Sequence, residues 1–460
     1  MLRATFVKDA EECTMSTLKT PTVSSNTSLK RSLGIPTLIV FGLAYLVPMT
    51  VFTTYGIVNE ITDGFLSSAY FLTLVAMLFT AISYAVLSRK VSSAGSAYAY
   101  TRLGFGSKVG FLTGWAVLID YVLLPMLNYL LIGIYLNQQF PSIPGWVFAL
   151  AALALVTALN IVGIRAVKSA NVVIVALQCL FFAVFVLVAV RSFQSDISPL
   201  DPFFRSDFEL SAVAAGAAIL CLSFLGFDAI STMAEEARDP ERTVPRAIVG
   251  TTIIAGIFFI GISWTAYMAF PEVITGPEAE SSAVTMLASI GGNFLTSLFL
   301  AAYVTGATGS ALASQASVSR ILYTMGRDSV LPKRIFGVLS RRFRTPVGAI
   351  LVVAAVSLTA VFADVDTVAS LVSFGALTAF SLVNLSVISV FLLRKNVEGT
   401  KSYFVHGVIP SIGFLLTVWL WTSLSMSTLA IGVCWILLGF GYLVFLTRGF
   451  KRPVPRMTGA

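Results

Sequence analysis

The chain has 460 residues, of which 57% are hydrophobic and only 11% charged, with a mean hydropathy of +0.89 and a formal net charge of +8. Soluble domains carry about 25% charged residues, so the composition excludes a soluble globular protein and fits an integral membrane one. The basic excess does not mark a nucleic-acid binder, because all of the 30 Lys and Arg except Arg191 and Arg205 fall at one set of alternating loops.

Residues 1–30 are polar and rich in Ser and Thr, with acidic residues and no apolar core. That pattern reads as a cytoplasmic tail and not as a signal peptide. Beyond it, apolar stretches long enough to cross a bilayer recur with short loops between them. About twelve membrane helices are expected, over 35–59, 66–87, 109–135, 146–162, 170–190, 210–233, 247–269, 283–310, 347–362, 368–393, 407–424 and 429–446. Continuous apolar runs argue for helices and against a barrel, since only a helix satisfies its backbone within one segment. The fold class expected is therefore an all-α integral membrane protein. One transmembrane domain covers 31–448, with cytoplasmic tails at 1–30 and 449–460.

Two of the spans contain interruptions. The first carries Gly42 and then Pro48, and a proline removes a donor and clashes one turn back, so this helix is expected to open near 46–50. The sixth carries Ser223-Phe-Leu-Gly-Phe-Asp228, where Gly226 and a hydroxyl weaken the helix at mid-membrane depth. If spans one to five and six to ten are repeats, the interrupted helices correspond, and an odd number of spans per repeat inverts one against the other. Paired interruptions of this kind point to a transporter's midplane site; membrane helices also tolerate Gly and Pro generally, which is the plainer reading.

Asp120 and Asp228 are the two carboxylates that fall inside apolar spans, with no Lys or Arg at similar depth. A carboxylate placed there costs a few kcal/mol or more and is usually paired, protonated or used. A negative site without basic residues suits a cationic solute. The loops opposite the basic ones hold Glu60, Asp63, Asp196, Asp201, Asp207, Glu209, Glu272, Glu278, Glu280, Asp364 and Asp366. The basic loops, densest over 320–346, place both termini in the cytoplasm and lie against anionic lipid. Cys13, Cys179, Cys221 and Cys434 are scattered without metal-like spacing, and His406 is the only histidine. No metal, cofactor or catalytic constellation is expected, and the chain does not read as an enzyme.

Ser223–Asp228 followed by Glu235-Glu-Ala-Arg-Asp-Pro-Glu-Arg-Thr-Val-Pro-Arg246 resembles the sixth helix and following loop of amino acid–polyamine–organocation permeases. Ser319-Arg-Ile-Leu-Tyr-Thr-Met-Gly-Arg-Asp328 resembles that superfamily's stretch after helix eight. Gly42–Phe52, Ile119-Asp-Tyr121 and Leu124-Pro-Met126 look more narrowly like bacterial putrescine importers. The resemblance implies a twelve-helix bundle with a five-plus-five inverted repeat, working by alternating access around helices one, three, six, eight and ten. It also implies residence in a bacterial plasma membrane. The amino-acid permeases have a Gly-Ser-Gly-like break whose N–H groups cradle a carboxylate; here Pro48, Met49 and Thr50 stand there, and they support such a nest poorly. Loss of an anion cradle and gain of Asp120 is what a change from amino acid to diamine requires.

Under that resemblance Asp228 pairs one substrate ammonium, or caps the outgoing half-helix, or does both. Asp120 holds the second ammonium or bonds a neighbouring break. Tyr121 covers the methylene chain or packs in the core, about 100° around the helix from Asp120. Asn128, Tyr45, Pro48, Met49, Thr50, Ser223, Gly226 and Phe227 complete the candidate lining, with Tyr45 or Phe227 as an aromatic gate. Ser373 and Phe374 in helix ten are further candidates. Glu235, Glu236, Arg238 and Arg246 form either an ion-pair gate or a solvated cluster.

Several proton-coupled members carry a Lys in helix five, where this chain has Gln178, so a coupled proton would use a carboxylate, Asp228 foremost. Membrane potential alone, about 2.3 kcal/mol per charge per 100 mV, also favours entry of a dication. Helix-eight hydroxyls such as Thr305 and Ser310 suit sodium or bond their own backbone. The expected function is secondary import of putrescine or a related polyamine. The alternative is a permease for a cationic amino acid or an amino-alkanoate; a membrane enzyme and a non-transporting receptor are the readings from other classes.

Overall fold

A computed structural model describes residues 33–46, 48–90, 96–162, 167–327, 330–343, 345–393 and 400–454. The expected tail at 1–30, Val47, Asp328 and Arg344 lie outside the described residues, as does the second half, 455–460, of the tail expected at 449–460. So do the side chains of Glu235 and Glu236.

Apolar sequence without alternation has one way to satisfy its backbone away from water, and every described span takes it. The first expected span divides into α1 (Ile35–Leu46), α2 (Thr50–Thr53) and α3 (Tyr55–Ile61). Then come α4 (Leu66–Ser88), α5 (Ser96–Phe105), α6 (Ser107–Gln139), α7 (Gly145–Val162) and α8 (Val167–Arg191). The sixth expected span begins as α9 (Leu210–Leu220), tightens to a 3₁₀ turn over Cys221–Phe224, breaks, and resumes as 3₁₀ helix over Ala229–Glu236. The remainder is α10 (Pro240–Ala269), α11 (Ser282–Arg327), α12 (Lys333–Phe336), α13 (Val347–Ser357), α14 (Val365–Ile388), α15 (Thr400–Tyr403), α16 (Ile409–Thr422) and α17 (Met426–Leu446). Among the described residues the only strand-like pairing is a single bridge between Leu33 and Ala237.

Nine helical stretches among the described residues are long and apolar enough to cross a membrane, and two shorter ones lie over Ala176–Arg191 and Val347–Phe362. Three differences from the sequence expectation have local causes. A helix that the apolar pattern missed, α5, is too polar and too short to register as a span. The basic stretch expected as a loop over 320–346 is shorter, because α11 continues to Arg327 and α12 occupies part of the rest. And α11 is two helices in sequence, meeting at Gly292, whose φ of 60° and ψ of −160° only glycine adopts readily.

The core is formed where α4, α6, α9, α10, α11 and α14 pack together, while α7, α16 and α17 keep most of their surface on the outside. Leu415, Leu437, Leu438 and Phe445 are among the side chains left open on α16 and α17. Such faces are costly in water and neutral in hydrocarbon, so the lipid-facing wall is where sequence composition requires it.

Candidate functional site

The two interruptions lie against each other. Pro48 and Met49 form a turn between α1 and α2. On the other side Gly226 sits at φ +137°, a backbone region that L side chains rarely adopt. A Cβ there would stand 3.0 Å from the Leu46 amide nitrogen, 3.0 Å from Tyr45 Cδ1 and 3.2 Å from the Gly42 carbonyl oxygen. Gly226 is thus required twice, by its own torsion and by the α1 backbone beside it.

The flanks of the two breaks are tied together. Arg238 N–H donates to the Leu33 carbonyl at 3.0 Å, joining the start of α1 to the end of the 229–236 segment. A buried hydroxyl series runs Thr54–Tyr70–Ser223, at 3.3 and 3.4 Å, and connects α3's start to the sixth span through α4. Ser373 on α14 donates to the Ile219 carbonyl at 2.8 Å, where α9 is about to lose its regular ladder. The Ile219 carbonyl and the Thr54 and Ser223 hydroxyls beside the breaks are in this way satisfied by neighbouring helices, whereas Thr50 Oγ1 has no partner.

Asp228 stands at the N-cap of the resumed helix, yet its side chain makes no capping hydrogen bond and reaches backward: Gly226 N–H donates to Oδ1 at 3.0 Å. The amides of Asp228 and Ala229 also turn toward it. Asp120, on α6, is 4% exposed, and its Oδ1 is buried without a hydrogen-bond partner. It packs beside Gly375 of α14, where a Cβ would meet Ala116 O at 3.0 Å and Asp120 Cβ at 3.3 Å. The two carboxylates act on one another electrostatically, and both act on the hydroxyls of Tyr45, Tyr84 and Tyr121. Among the described residues no Lys or Arg pairs with either acid; ion pairs found elsewhere include Arg205 with Asp63 and Asp207, and Arg242 with Asp239.

Tyr45 also lines a cavity of about 40 Å³. Tyr45, Thr50 and Asn128 line it together with Leu222, Tyr303 and Ser310, and neither aspartate does. Asn128 donates to the Leu124 carbonyl at 3.0 Å and to Ser310 Oγ at 3.3 Å. Pro48 and Gln178 line a third space, a largely apolar crevice of about 300 Å³ between α1, α8 and α10. Gln178 is buried and packs closely on Gly306 of α11.

The remaining candidates are packed. Met49 and Phe227 are fully buried, and the Phe227 ring meets Tyr84 edge-on at 5.6 Å and Phe380 at 5.2 Å. Phe374 is directed away, against Trp421 and Gly432 on the outer helices. Tyr121 is partly buried among Tyr98, Phe111 and Leu118.

Sequence reasoning missed Tyr84, Tyr100 and Tyr303. Tyr84 and Tyr100 pack edge-on at 5.5 Å, and both stand near Asp228. Nothing local distinguishes them among 14 tyrosines. Tyr303 had a signal: with Gly306 and Ser310 it makes a small and polar stripe at i, i+3 and i+7 of an otherwise apolar helix.

The family model described as "Amino acid permease" matches residues 36–451. The chain is 39% identical over 444 residues to the low-affinity putrescine importer PlaP of Escherichia coli (strain K12), an alignment covering 94% of this chain and 98% of that one. It is 28% identical over 445 residues to the branched-chain amino acid permease BcaP of Bacillus subtilis (strain 168), covering 90% and 93%. The methylthioribose transporter of the same organism is 27% identical over 443 residues, covering 90% and 93%.

Proposed function

The chain belongs to the amino acid permease family, and from that premise we propose that it is a secondary importer of putrescine or a closely related polyamine. The family makes it a multi-pass membrane transporter and not an enzyme. The observation that carries the substrate class is the pair of acids, buried Asp120 and half-buried Asp228, which share electrostatic neighbours and have no basic partner among the described residues. An α-amino acid brings its own carboxylate to the site. Here that group would meet two anions and the Pro48-Met49 turn in place of a free N–H cradle. A polyamine brings only positive charge.

In this reading the bundle has twelve membrane helices arranged as two inverted five-helix repeats, and the two interruptions are the corresponding first helices. Alternating access moves α1 together with the 229–236 segment, a pairing supported by the Leu33–Ala237 bridge. Both termini face the cytoplasm of a bacterial cell in this reading, which the distribution of Lys and Arg supports. The transmembrane domain spans 31–448, with tails on either side. Asp228 binds an ammonium through the oxygen it does not spend on Gly226, Asp120 contributes the second negative charge, and Tyr121 and Tyr45 close around the chain. Entry is driven by membrane potential, by a proton carried on a carboxylate, or by both; Gln178 holds no charge and serves as a neutral spacer between α8 and α11.

A permease for a cationic amino acid or amino-alkanoate is the second reading, favoured by the likeness to an amino acid permease named above. Uptake of labelled putrescine into proteoliposomes, with pH and sodium gradients imposed separately, tests both. Saturable uptake blocked by other diamines and not by arginine or 4-aminobutyrate is expected. Blocking by either amino acid at lower concentration than putrescine would shift the assignment to the second reading.

A further inference from the structure

We propose that the segment joining α11 to α13, over 330–343, is a docking surface for the negatively charged face of a bilayer, with phospholipid headgroups held by Lys333, Arg334, Arg341 and Arg342 around three apolar side chains. What sets this stretch apart from a simple run of basic residues is an apolar wedge and a rigid mount. The proposal is independent of the solute that the protein carries.

The segment has a packed side and an open side. Val330 is buried, and Leu331 and Phe336 pack against the cluster that contains Phe111 and Val318. On the open side Ile335 is 49% exposed, Val338 55% and Leu339 40%. Lys333, Arg334, Arg341 and Arg342 are exposed next to them in sequence. Among the described residues none of these four is paired with a carboxylate. The sequence from Ser329 to Ala363 contains no Asp or Glu.

Neither water nor hydrocarbon suits such a face. Water leaves the apolar side chains wet, and hydrocarbon strands the cations. The boundary between the two serves both: apolar groups enter the acyl edge while ammonium and guanidinium groups meet phosphates. Guanidinium groups take phosphate oxygens in pairs, which favours this partner at Arg341 and Arg342. Connectivity places the segment at that boundary, because it runs from the end of α11 to the start of α13, two apolar helices. Its place between two such helices favours the bilayer over a soluble acidic protein.

The mount is built from close backbone contacts and hydrogen bonds. On α11, a Cβ at Gly326 would stand 2.6 Å from the Gly337 nitrogen; on α13, Gly348 leaves no room for a Cβ beside the Ile335 carbonyl. The amides of Val330 and Leu331 donate to the Met325 carbonyl at 2.8 and 3.1 Å, and the Tyr442 hydroxyl of α17 donates to the Val330 carbonyl. Ser340 N–H donates to the Thr345 carbonyl at 2.9 Å, and Thr345 Oγ1 donates to the Ile161 carbonyl of α7 at 2.8 Å. Headgroups on the open side thereby tie the ends of α11 and α13 to the bilayer surface.

The test is the melting temperature of the full chain in nanodiscs of phosphatidylcholine and in nanodiscs of equal parts phosphatidylcholine and phosphatidylglycerol. Wild-type protein is expected to melt higher in the anionic discs by about 4 °C. Raising NaCl to about 1 M should at least halve that gap, because the Debye length falls to about 3 Å. The combined variant Lys333→Gln, Arg334→Gln, Arg341→Gln and Arg342→Gln should lose the gap while melting like wild type in phosphatidylcholine. Val338→Ser with Leu339→Ser should lower melting in both discs by similar amounts, since the wedge enters either lipid. Equal melting of wild-type protein in the two discs overturns the proposal and leaves the basic face to an acidic soluble partner. A gap that survives in the combined variant overturns it too, because other basic loops then carry the preference. A combined variant that melts below wild type in phosphatidylcholine marks a structural role and also overturns it. Unchanged melting of the Val338→Ser, Leu339→Ser variant in both discs overturns the wedge and with it the interfacial placement. The readout needs no substrate, so a failure of putrescine uptake leaves it unaffected.

Discussion

The two interrupted helices open by opposite chemistry. The first break removes a donor: Pro48 has no N–H, Met49 fills space, and no carboxylate lies within the turn. The second break keeps its donors and supplies an acceptor, with Gly226 N–H donating to Asp228 and the following amide turned the same way. A break that collects N–H groups around its own carboxylate has answered its need locally. The first break, short of the Pro48 donor, leans on Gly226 from the sixth span, on the Tyr135 hydroxyl that reaches the Phe52 carbonyl, and on the Thr53 hydroxyl of α2 itself, which reaches the Thr50 carbonyl. The same difference separates the two acids. Asp228 is held by backbone dipoles, whereas Asp120 ends in an oxygen with no partner. Of the two, Asp120 is the one whose electrostatic need a bound cation would meet most directly.

The largest effect is expected where the two breaks touch. Gly226→Ala imposes a φ of +137° on an L side chain and drives a Cβ against the α1 backbone. The strain is worth about 1–3 kcal/mol and the overpacking a similar amount. Uptake should fall below a tenth of wild type and the melting temperature in detergent should drop. Gly261→Ala on α10 is the control, because a Cβ there meets nothing within 4 Å. If both variants behave alike, the breaks do not depend on their mutual contact.

Next come the acids. Asp228→Asn keeps an oxygen for Gly226 N–H and removes only charge, so membrane insertion should persist while uptake is lost by about tenfold or more. Asp120→Asn should also lose uptake, yet with a melting temperature equal to or above wild type, because a buried charge without a partner has been removed. Near-normal uptake by Asp228→Asn would take that residue out of the site. Destabilisation by Asp120→Asn would mean that its carboxylate is paired after all. Tyr121 is expected to contribute less. Tyr121→Ala should weaken transport by about tenfold and Tyr121→Phe by much less if the ring covers the chain; equal losses would point to the hydroxyl.

Much of this was legible in the sequence because it followed from backbone chemistry. Pro48 and Gly226 announce breaks by what they lack, and both breaks fall where they were expected. The family was legible in residues 223–246, and the full-length relatedness agrees. What sequence spacing could not convey is direction across the bundle. Phe227 within the second break and Phe374 on α14 both point into packing, while Asn128 and Thr50 share a cavity with a helix-eight tyrosine that is distant along the chain.

The smallest effect concerns the arm beyond the first break. Arg205, in the loop before α9, donates to the Asp63 carbonyl at 2.7 Å and to Tyr267 at 2.8 Å, lies over the Phe65 ring at 4.6 Å, and pairs with Asp207 at 2.6 Å. It fastens the turn that follows α3 to the end of α10, so the α2–α3 arm has a fixed end on the side away from Pro48. The guanidinium holds the Asp207 carboxyl below the usual carboxylate range. A carboxyl whose proton is bound less tightly in the folded state contributes stability above its ordinary value of about 3.9, and that contribution fades as pH falls through the lower folded value. Because Asp207 is exposed, the contribution is small. Asp207→Asn should therefore change the melting temperature at pH 7 by no more than about 2 °C and remove a slight acid sensitivity below pH 4. Arg205→Ala should cost more than Asp207→Asn, since it also releases Asp63, Tyr267 and Phe65. If the two variants are equal, the ion pair is the whole of the clasp, and the arm beyond the first break is anchored by α3 packing alone.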